Sequence, residues 1–491
     1  MKSLHPIMLA GTGSDVGKSV IATGLCRIFS NDGYSPAPFK AQNMALNSYA
    51  TPDGKEIGRA QAVQAEAARV ECCTDMNPLL LKPSSDKTSQ VVLNGVPIGN
   101  RDAYEYFRVE GREELRIEVH DAFDRLASKY NPIVMEGAGS IAEINLKATD
   151  LVNMSMARHA DADVILVADI DRGGVFASVY GSIMLQDEED RKRIKGVIVN
   201  KFRGDMRLFD SGRKLMEYIC GVPVLGVVPY FKDINIEEED SVSLSKKQSE
   251  AVGKGRVNVA VVLLNHISNF TDFDALEKDP RVHLFYTNNI AELAHADVII
   301  VPGSKSTIAD LQELKNNGVA EAILKAYRRG CSVVGICGGF QMMGLEVNDP
   351  DGLEGDARYI TGLGLLPVVT TLADTKVTRR VSFDFNGSLC QGYEIHMGRS
   401  ELRNGEPFAR LDDGSYDGCR VSERCWGSYV HGVLDNSAVV DALLAPHVTD
   451  RRCMREFDYS KYKQEQYDAL ARELRKYVDM EALYKIMGRD D

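Results

Sequence analysis

The chain has 491 residues, 44% hydrophobic and 26% charged, which excludes a disordered or fibrous protein and suggests roughly two to three domains. Its formal charge of −13 argues against general nucleic-acid or anionic-membrane binding, so no nucleic acid and no membrane is expected as a partner. Anionic substrates would then need a local basic pocket or a metal. No stretch approaches the ~20 apolar residues of a membrane span, and the N-terminal apolar run is too short for a signal peptide. The 10 cysteines include no CxxC pair, so neither a zinc framework nor a disulfide scaffold is expected, and the setting reads as reduced and cytoplasmic.

In chain order, short uninterrupted apolar runs at Ile7–Ala10, Ile133–Met135, Val164–Ala168, Val197–Val199 and Val222–Val228 read as strands covered on both faces. Ile21, Leu25, Ile28 and Phe29 recur at helical spacing, and Gly33 stands where a C-cap would end that helix. This predicts a mostly parallel sheet with helices on both faces. Residues 233–255, acidic and then Ser/Lys-rich, read as a linker. A second βα series follows at Val257–Leu264, Val298–Val301 and Ser332–Ile336. Beyond 441 the chain is polar and helical in pattern. Tyr467, Leu470, Leu474, Tyr477 and Val478 form an apolar packing stripe there, with Ser460 as candidate N-cap. The expected fold class is α/β, two doubly wound domains with a helical tail: residues 1–232, a linker 233–255, residues 256–440 and an extension 441–491.

Gly11-Thr12-Gly13-Ser14-Asp15-Val16-Gly17-Lys18-Ser19 follows the first strand and opens the first helix. There, backbone N–H groups can cradle the phosphates of ATP, Lys18 can reach the β- and γ-phosphates, and the Ser19 hydroxyl can meet Mg2+. Thr12 stands where the strict phosphate-loop pattern has its first glycine. The form resembles the dethiobiotin-synthetase-like branch of P-loop enzymes. Glu136, ending a strand, is the candidate to complete the magnesium site, with Asp169 and Asp171 as weaker rivals. Asn200, at another strand end, is a candidate contact for the base.

Gly335-Ile336-Cys337-Gly338-Gly339 follows a strand and has the spacing of a nucleophile elbow, with sulfur in place of hydroxyl. The helix behind it favours the thiolate. Gly338 and the Pro302-Gly303-Ser304 turn are candidate oxyanion donors. His431 is the candidate base, and His396 competes with it from sequence alone. No carboxylate stands two residues after His431; Glu394 and Asp435 are weak candidates for orienting it.

Together these residues resemble the cobyrinate amidotransferases over almost the whole chain. The resemblance includes the string Pro38 to Tyr49 (PFKAQNMALNSY), Asn77 to Pro83, Ile267 to Asp272 and Pro302 to Thr307. It implies an N-terminal P-loop NTPase domain and a C-terminal class I glutamine amidotransferase-like domain. The implied activity is ATP-dependent amidation of the b, d, e and g carboxylates of adenosylcobyrinic acid a,c-diamide, with L-glutamine as ammonia donor. The resemblance favours His431 over His396, implies that the usual third carboxylate is lacking, and makes Gln341 a glutamine-binding residue. Lys40, Gln42 and Asn43 become candidate corrinoid contacts, with Lys82, Arg59 and Lys87 as further parts of a basic cleft. Oligomeric state is not legible.

Within that family the alternative is a cobyrinate a,c-diamide synthase. Its Lys-x-Gly-Pro-Asp-Tyr-type string is replaced here by Lys40-Ala41-Gln42-Asn43-Met44. The alternative from another class is a partitioning ATPase switch. That class carries a signature lysine where this chain has Gly13, and it leaves the Cys337 region unexplained.

Overall fold

The computed structural model describes residues 3–83, 88–102, 106, 112–237, 256–355, 357–448 and 457–488. The chain divides into two compact units: residues 1–45, 57–237 and 463–491 form the first, and 46–56 with 238–462 the second.

The first unit is built on six parallel strands: β1 (Ile7–Gly11), β2 (Ala37–Phe39), β3 (Ile133–Glu136), β4 (Asp163–Asp169), β5 (Ile194–Phe202) and β6 (Val224–Pro229). They lie in the order β6-β5-β4-β1-β3-β2. Strand order reverses beside β1, so the crevice at the carboxyl end of β1 is the ligand-binding position of such a sheet. Helix α1 (Lys18–Asn31) runs from that point. The last strand begins two residues later than the apolar run suggests, because Pro223 has no N–H to give the ladder and offers only its carbonyl to Val197.

The expected extension at 441–491 is not one element. Helix α5 (Tyr459–Tyr477) contributes Leu470, Ala471 and Leu474 to the core of the first unit, beside Ile21, Leu25 and Phe29 of α1. The apolar stripe is therefore a packing surface. Its cap is Asp458, whose carboxylate accepts from Lys461 N at 2.9 Å, rather than Ser460. Residues 233–237, read as the start of a linker, also pack: Ile234 and Ile236 lie against that core, and Glu237 pairs with Arg59 at 2.7 Å. The rest of the expected linker, 238–255, lies outside the described residues, as does Lys87.

The second unit has β7 (Val257–Val262), β8 (Val282–Thr287), β9 (Val298–Val301), β10 (Ser332–Ile336), β13 (Cys419–Ser422) and β14 (Cys425–Ser428), in the order β8-β7-β9-β10-β14-β13. All pair in parallel except the last, antiparallel pair. A long antiparallel hairpin, β11 (Val368–Phe385) and β12 (Ser388–Leu402), belongs to a further sheet. The segment 46–56 packs here: Tyr49 meets Tyr393 edge-on at 4.5 Å, and Asn47 and Asn269 accept from Phe270 N (3.2 Å) and Ser48 N (2.9 Å) respectively. Among the described residues no helix is long and apolar enough to cross a membrane.

Candidate active sites

In the first unit the loop Gly11–Ser19 turns off β1 with Asp15 and Gly17 at φ 57° and 93°. The backbone there is left-handed, which glycine tolerates best. Thr12 N donates to Val167 O at 3.1 Å, tying the loop to β4. Lys18 is buried and donates to Gly13 O and Gly139 O, both at 3.0 Å. Burial pushes its pKa down to about 8, with Glu136 pulling against that and Lys40 adding to it. Glu136 sits at the centre. Ser19 Oγ donates to its Oε1 at 2.8 Å, Lys40 Nζ donates to the same oxygen at 3.0 Å, and Gln64 Nε2 donates to Oε2 at 2.7 Å. Burial alone would raise the Glu136 pKa, but Lys40, the Gln64 and Lys40 hydrogen bonds and Lys18 together hold it below the ordinary carboxylate value. It is therefore an ionised, oxygen-donor group.

The oxygens of Ser19 and Glu136 suit a hard cation such as Mg2+, which takes one or two carboxylates and completes its shell with phosphates and water. No group of three or more His, Cys, Asp or Glu side chains gathers as a metal site among the described residues, and a nucleotide-borne magnesium does not require one. Asp169 and Asp171 are engaged elsewhere, with Lys201 at 3.1 Å and Arg203 at 2.7 Å. Asn200, expected at the base, uses its amide nitrogen on Val16 O at 2.8 Å and so braces the phosphate loop. Lys40 joins the Glu136 cluster, while Gln42 accepts from Tyr106 OH at 2.7 Å and Asn43 donates to Gln61 Oε1 at 3.0 Å.

In the second unit, Cys337 joins β10 to the short helix α4 (Gly338–Met343) at φ 52°, ψ −110°. Such backbone strain in a non-glycine residue is the mark of a nucleophile elbow. The turn is possible only because its neighbours lack side chains: a Cβ on Gly339 would lie 1.9 Å from Val301 O. Gly339→Ala is accordingly expected to lower stability by about 1–3 kcal/mol and to displace the thiol; an unchanged urea midpoint would contradict this. The candidate oxyanion turns converge here. The Cβ position of Gly303 is 3.4 Å from His431 Cε1, and that of Gly338 is 2.8 Å from Ser304 N.

His431 is buried and Cys337 is one of the groups acting on its charge; the Cys337 thiol itself donates to Ile395 O at 3.7 Å. Its Nδ1 lies 2.7 Å from Asp272 Oδ2, and the other Asp272 oxygen accepts from Gly432 N at 2.9 Å. Burial favours neutral His431, but Asp272 and Cys337 outweigh it and push the pKa up to about 10. His431 is thus set up as an imidazolium oriented by a carboxylate. Asp272 supplies the third member that the sequence left unassigned and the resemblance implied to be lacking. Glu394 is instead paired with Arg379. No spacing signal points to Asp272, which is 159 residues from its partner.

His396 stacks on Tyr429 at 3.8 Å, and burial with the charge of His431 pushes its pKa down to about 3. It stays neutral, and no carboxylate hydrogen-bonds its ring among the described residues, so His431 is the base the geometry favours. Gln341 accepts from Thr307 Oγ1 at 3.2 Å and donates to Met397 O at 3.0 Å and Tyr429 OH at 3.2 Å. With its oxygen and nitrogen both engaged, Gln341 braces the second unit just past the Cys337 elbow.

A P-loop nucleotide site in one unit and a Cys–His–Asp hydrolytic site in the other define an ATP-using glutamine amidotransferase. Residues 258–439 match the CobB/CobQ-like glutamine amidotransferase domain, and residues 7–244 the CobQ/CobB/MinD/ParA nucleotide binding domain. The chain is 67% identical to a cobyric acid synthase of Phocaeicola vulgatus and 66% identical to one of Bacteroides fragilis, over 100% of each chain. It is 46% identical to one of Limosilactobacillus reuteri over 99% of both chains. The chain belongs to the cobyric acid synthase family.

Proposed function

We propose that the chain amidates the b, d, e and g carboxylates of adenosylcobyrinic acid a,c-diamide, using ATP and the side-chain amide of L-glutamine. The observation that carries this reading is the full-length similarity to cobyric acid synthases. Cys337 Sγ attacks the glutamine side-chain carbonyl, and the N–H groups of Gly303 and Gly338 receive the oxyanion. His431 delivers its proton to the leaving amine. Ammonia departs, and water hydrolyses the resulting thioester to glutamate.

In the first unit, the phosphate loop and Lys18 hold the nucleotide, whose γ-phosphoryl group passes to a substrate carboxylate oxygen and leaves ADP. Ammonia then displaces phosphate from the acyl phosphate to give the amide. When bound, magnesium offsets charge on the transferring group, and Ser19 and Glu136 are the residues that would hold it. Every cysteine among the described residues is a free thiol, which supports a reducing, cytoplasmic setting.

The test is amide formation with cobyrinic acid a,c-diamide and with cobyrinic acid. The expected result is ATP-dependent conversion of the diamide. Conversion of cobyrinic acid with the diamide left untouched would transfer the assignment to an a,c-diamide synthase. The nucleotide-domain match alone also spans MinD and ParA proteins. The second unit, with its Cys337 site, is what disfavours a partitioning switch.

A further inference from the structure

Helix α2 (Arg59–Ala68) is almost wholly buried and carries two buried amides, Gln61 and Gln64, on one face. Gln64 completes the Glu136 cluster, but no step described above uses Gln61. Its Oε1 is held by Asn43, whereas its Nε2 has no hydrogen-bond partner among the described residues although Gln61 is fully buried. Buried amide donors are almost always satisfied, and one left over calls for an acceptor.

The surroundings are arranged around this group. A Cβ on Gly58 would fall 2.6 Å from Asn43 Nδ2, 2.9 Å from Asn77 Oδ1 and 3.0 Å from Gln61 Oε1, so the glycine lets three amides converge. Asn77 in turn accepts from Gly58 N at 3.1 Å and donates to Lys40 O at 3.0 Å. That chain ends at the residue whose ammonium shares Glu136 with Ser19. A buried donor therefore belongs to the same interior as two buried lysines, Lys18 and Lys40, balanced in that cluster by Glu136.

We propose that Gln61 Nε2, together with the Lys40 ammonium, binds an oxygen of the substrate carboxylate that is being activated. This rests on the reading under Proposed function. The shared chemistry is an anionic oxygen, for which a carboxylate and the nucleotide γ-phosphate are the two sources. The carboxylate is chosen because the phosphate loop and Lys18 are the groups assigned above to the phosphates, and Gln61 belongs to α2 and is held by Asn43, a candidate corrinoid contact.

The experiment compares full-length wild type with Gln61→Met, which keeps bulk without a donor, and Gln61→Glu, which puts a carboxylate in its place. Equilibrium binding of cobyrinic acid a,c-diamide, its KM, the KM for Mg·ATP and the melting temperature are measured. Gln61→Met is expected to raise the corrinoid Kd and KM about tenfold, the scale of one hydrogen bond to a charged group. Gln61→Glu is expected to raise them further by charge repulsion, with the ATP KM little changed. Corrinoid binding equal to wild type in both variants overturns the proposal. A change confined to the ATP KM also overturns it and gives the oxygen to the nucleotide. If the wild type neither binds nor amidates the diamide, the reading under Proposed function falls and takes this inference with it. Should either variant fail to fold, Gln61→Asn, which retracts the amide by one methylene, is expected to show the same corrinoid-selective loss; wild-type corrinoid binding by that variant would overturn the proposal.

Discussion

Cys337→Ala is expected to abolish glutamine-dependent amidation while leaving amidation from free ammonia intact. The Cys337 thiol is the group placed to form the thioester: it sits at a strained elbow, with buried His431 acting on the same site. Without it, water and the oxyanion donors alone cannot open an amide at a useful rate, so a loss of about 10³-fold or more is anticipated. The acyl phosphate chemistry uses Lys18, Ser19 and Glu136, which belong to the first unit, and external ammonia enters after glutamine has played its part. The assay is amide formation with glutamine and then with an ammonium salt at alkaline pH, where more of the free base is present. Residual glutamine-dependent turnover near the wild-type rate would remove Cys337 from the mechanism. Loss of the ammonia-dependent reaction as well would mean that the substitution damages more than the glutaminase step.

What was legible in the sequence was local. The phosphate loop and the Cys337 elbow each occupy fewer than ten consecutive residues, and strand-to-helix turns of this kind are encoded by their own glycines and flanking apolar runs. Most of the parallel strands were legible for the same reason: burial on both faces leaves an uninterrupted run, as at Val298–Val301 and Ser332–Ile336, whereas the short β2 and the mixed-polarity β8 were not read as strands. The hairpin of β11 and β12 was not legible either. Its long middle stretch, with Thr375, Lys376, Thr378, Arg379 and Arg380, is half exposed and carries no sustained apolar alternation. The placement of residues 46–56 in the second unit was equally hidden, since it depends on Tyr49 meeting Tyr393 and on the Asn47 and Asn269 side chains accepting from Phe270 N and Ser48 N. Such long-range pairs leave no periodicity. The cluster of Ser19, Lys40 and Gln64 around Glu136 is a network of the same kind, assembled from segments that are far apart in sequence.

Asp272→Asn should leave the second unit folded but reduce kcat/KM for glutamine by about 10²–10⁴-fold, the range seen when an orienting carboxylate is lost from a nucleophile–histidine pair. Asp272 is a positioning residue, acting on the substrate only through His431. Asparagine keeps its shape and can still accept from Gly432 N, so the backbone turn survives. The negative charge that holds the imidazolium is gone, and the amide can face Nδ1 with a donor, which favours the wrong tautomer. Burial would then lower the His431 pKa with only Cys337 opposing it. The pH profile separates this role from a structural one. In the wild type the folded His431 pKa is raised from 6.5 to about 10, so its contribution to stability is full below about pH 6.5 and is lost as pH rises through 10. In Asp272→Asn that loss moves to lower pH, and with it the alkaline limb of glutamine hydrolysis. Ammonia-dependent amidation, which bypasses His431, should stay at the wild-type level. A rate near wild type with an unmoved alkaline limb would show that His431 works without Asp272, and the site would then be a Cys–His pair.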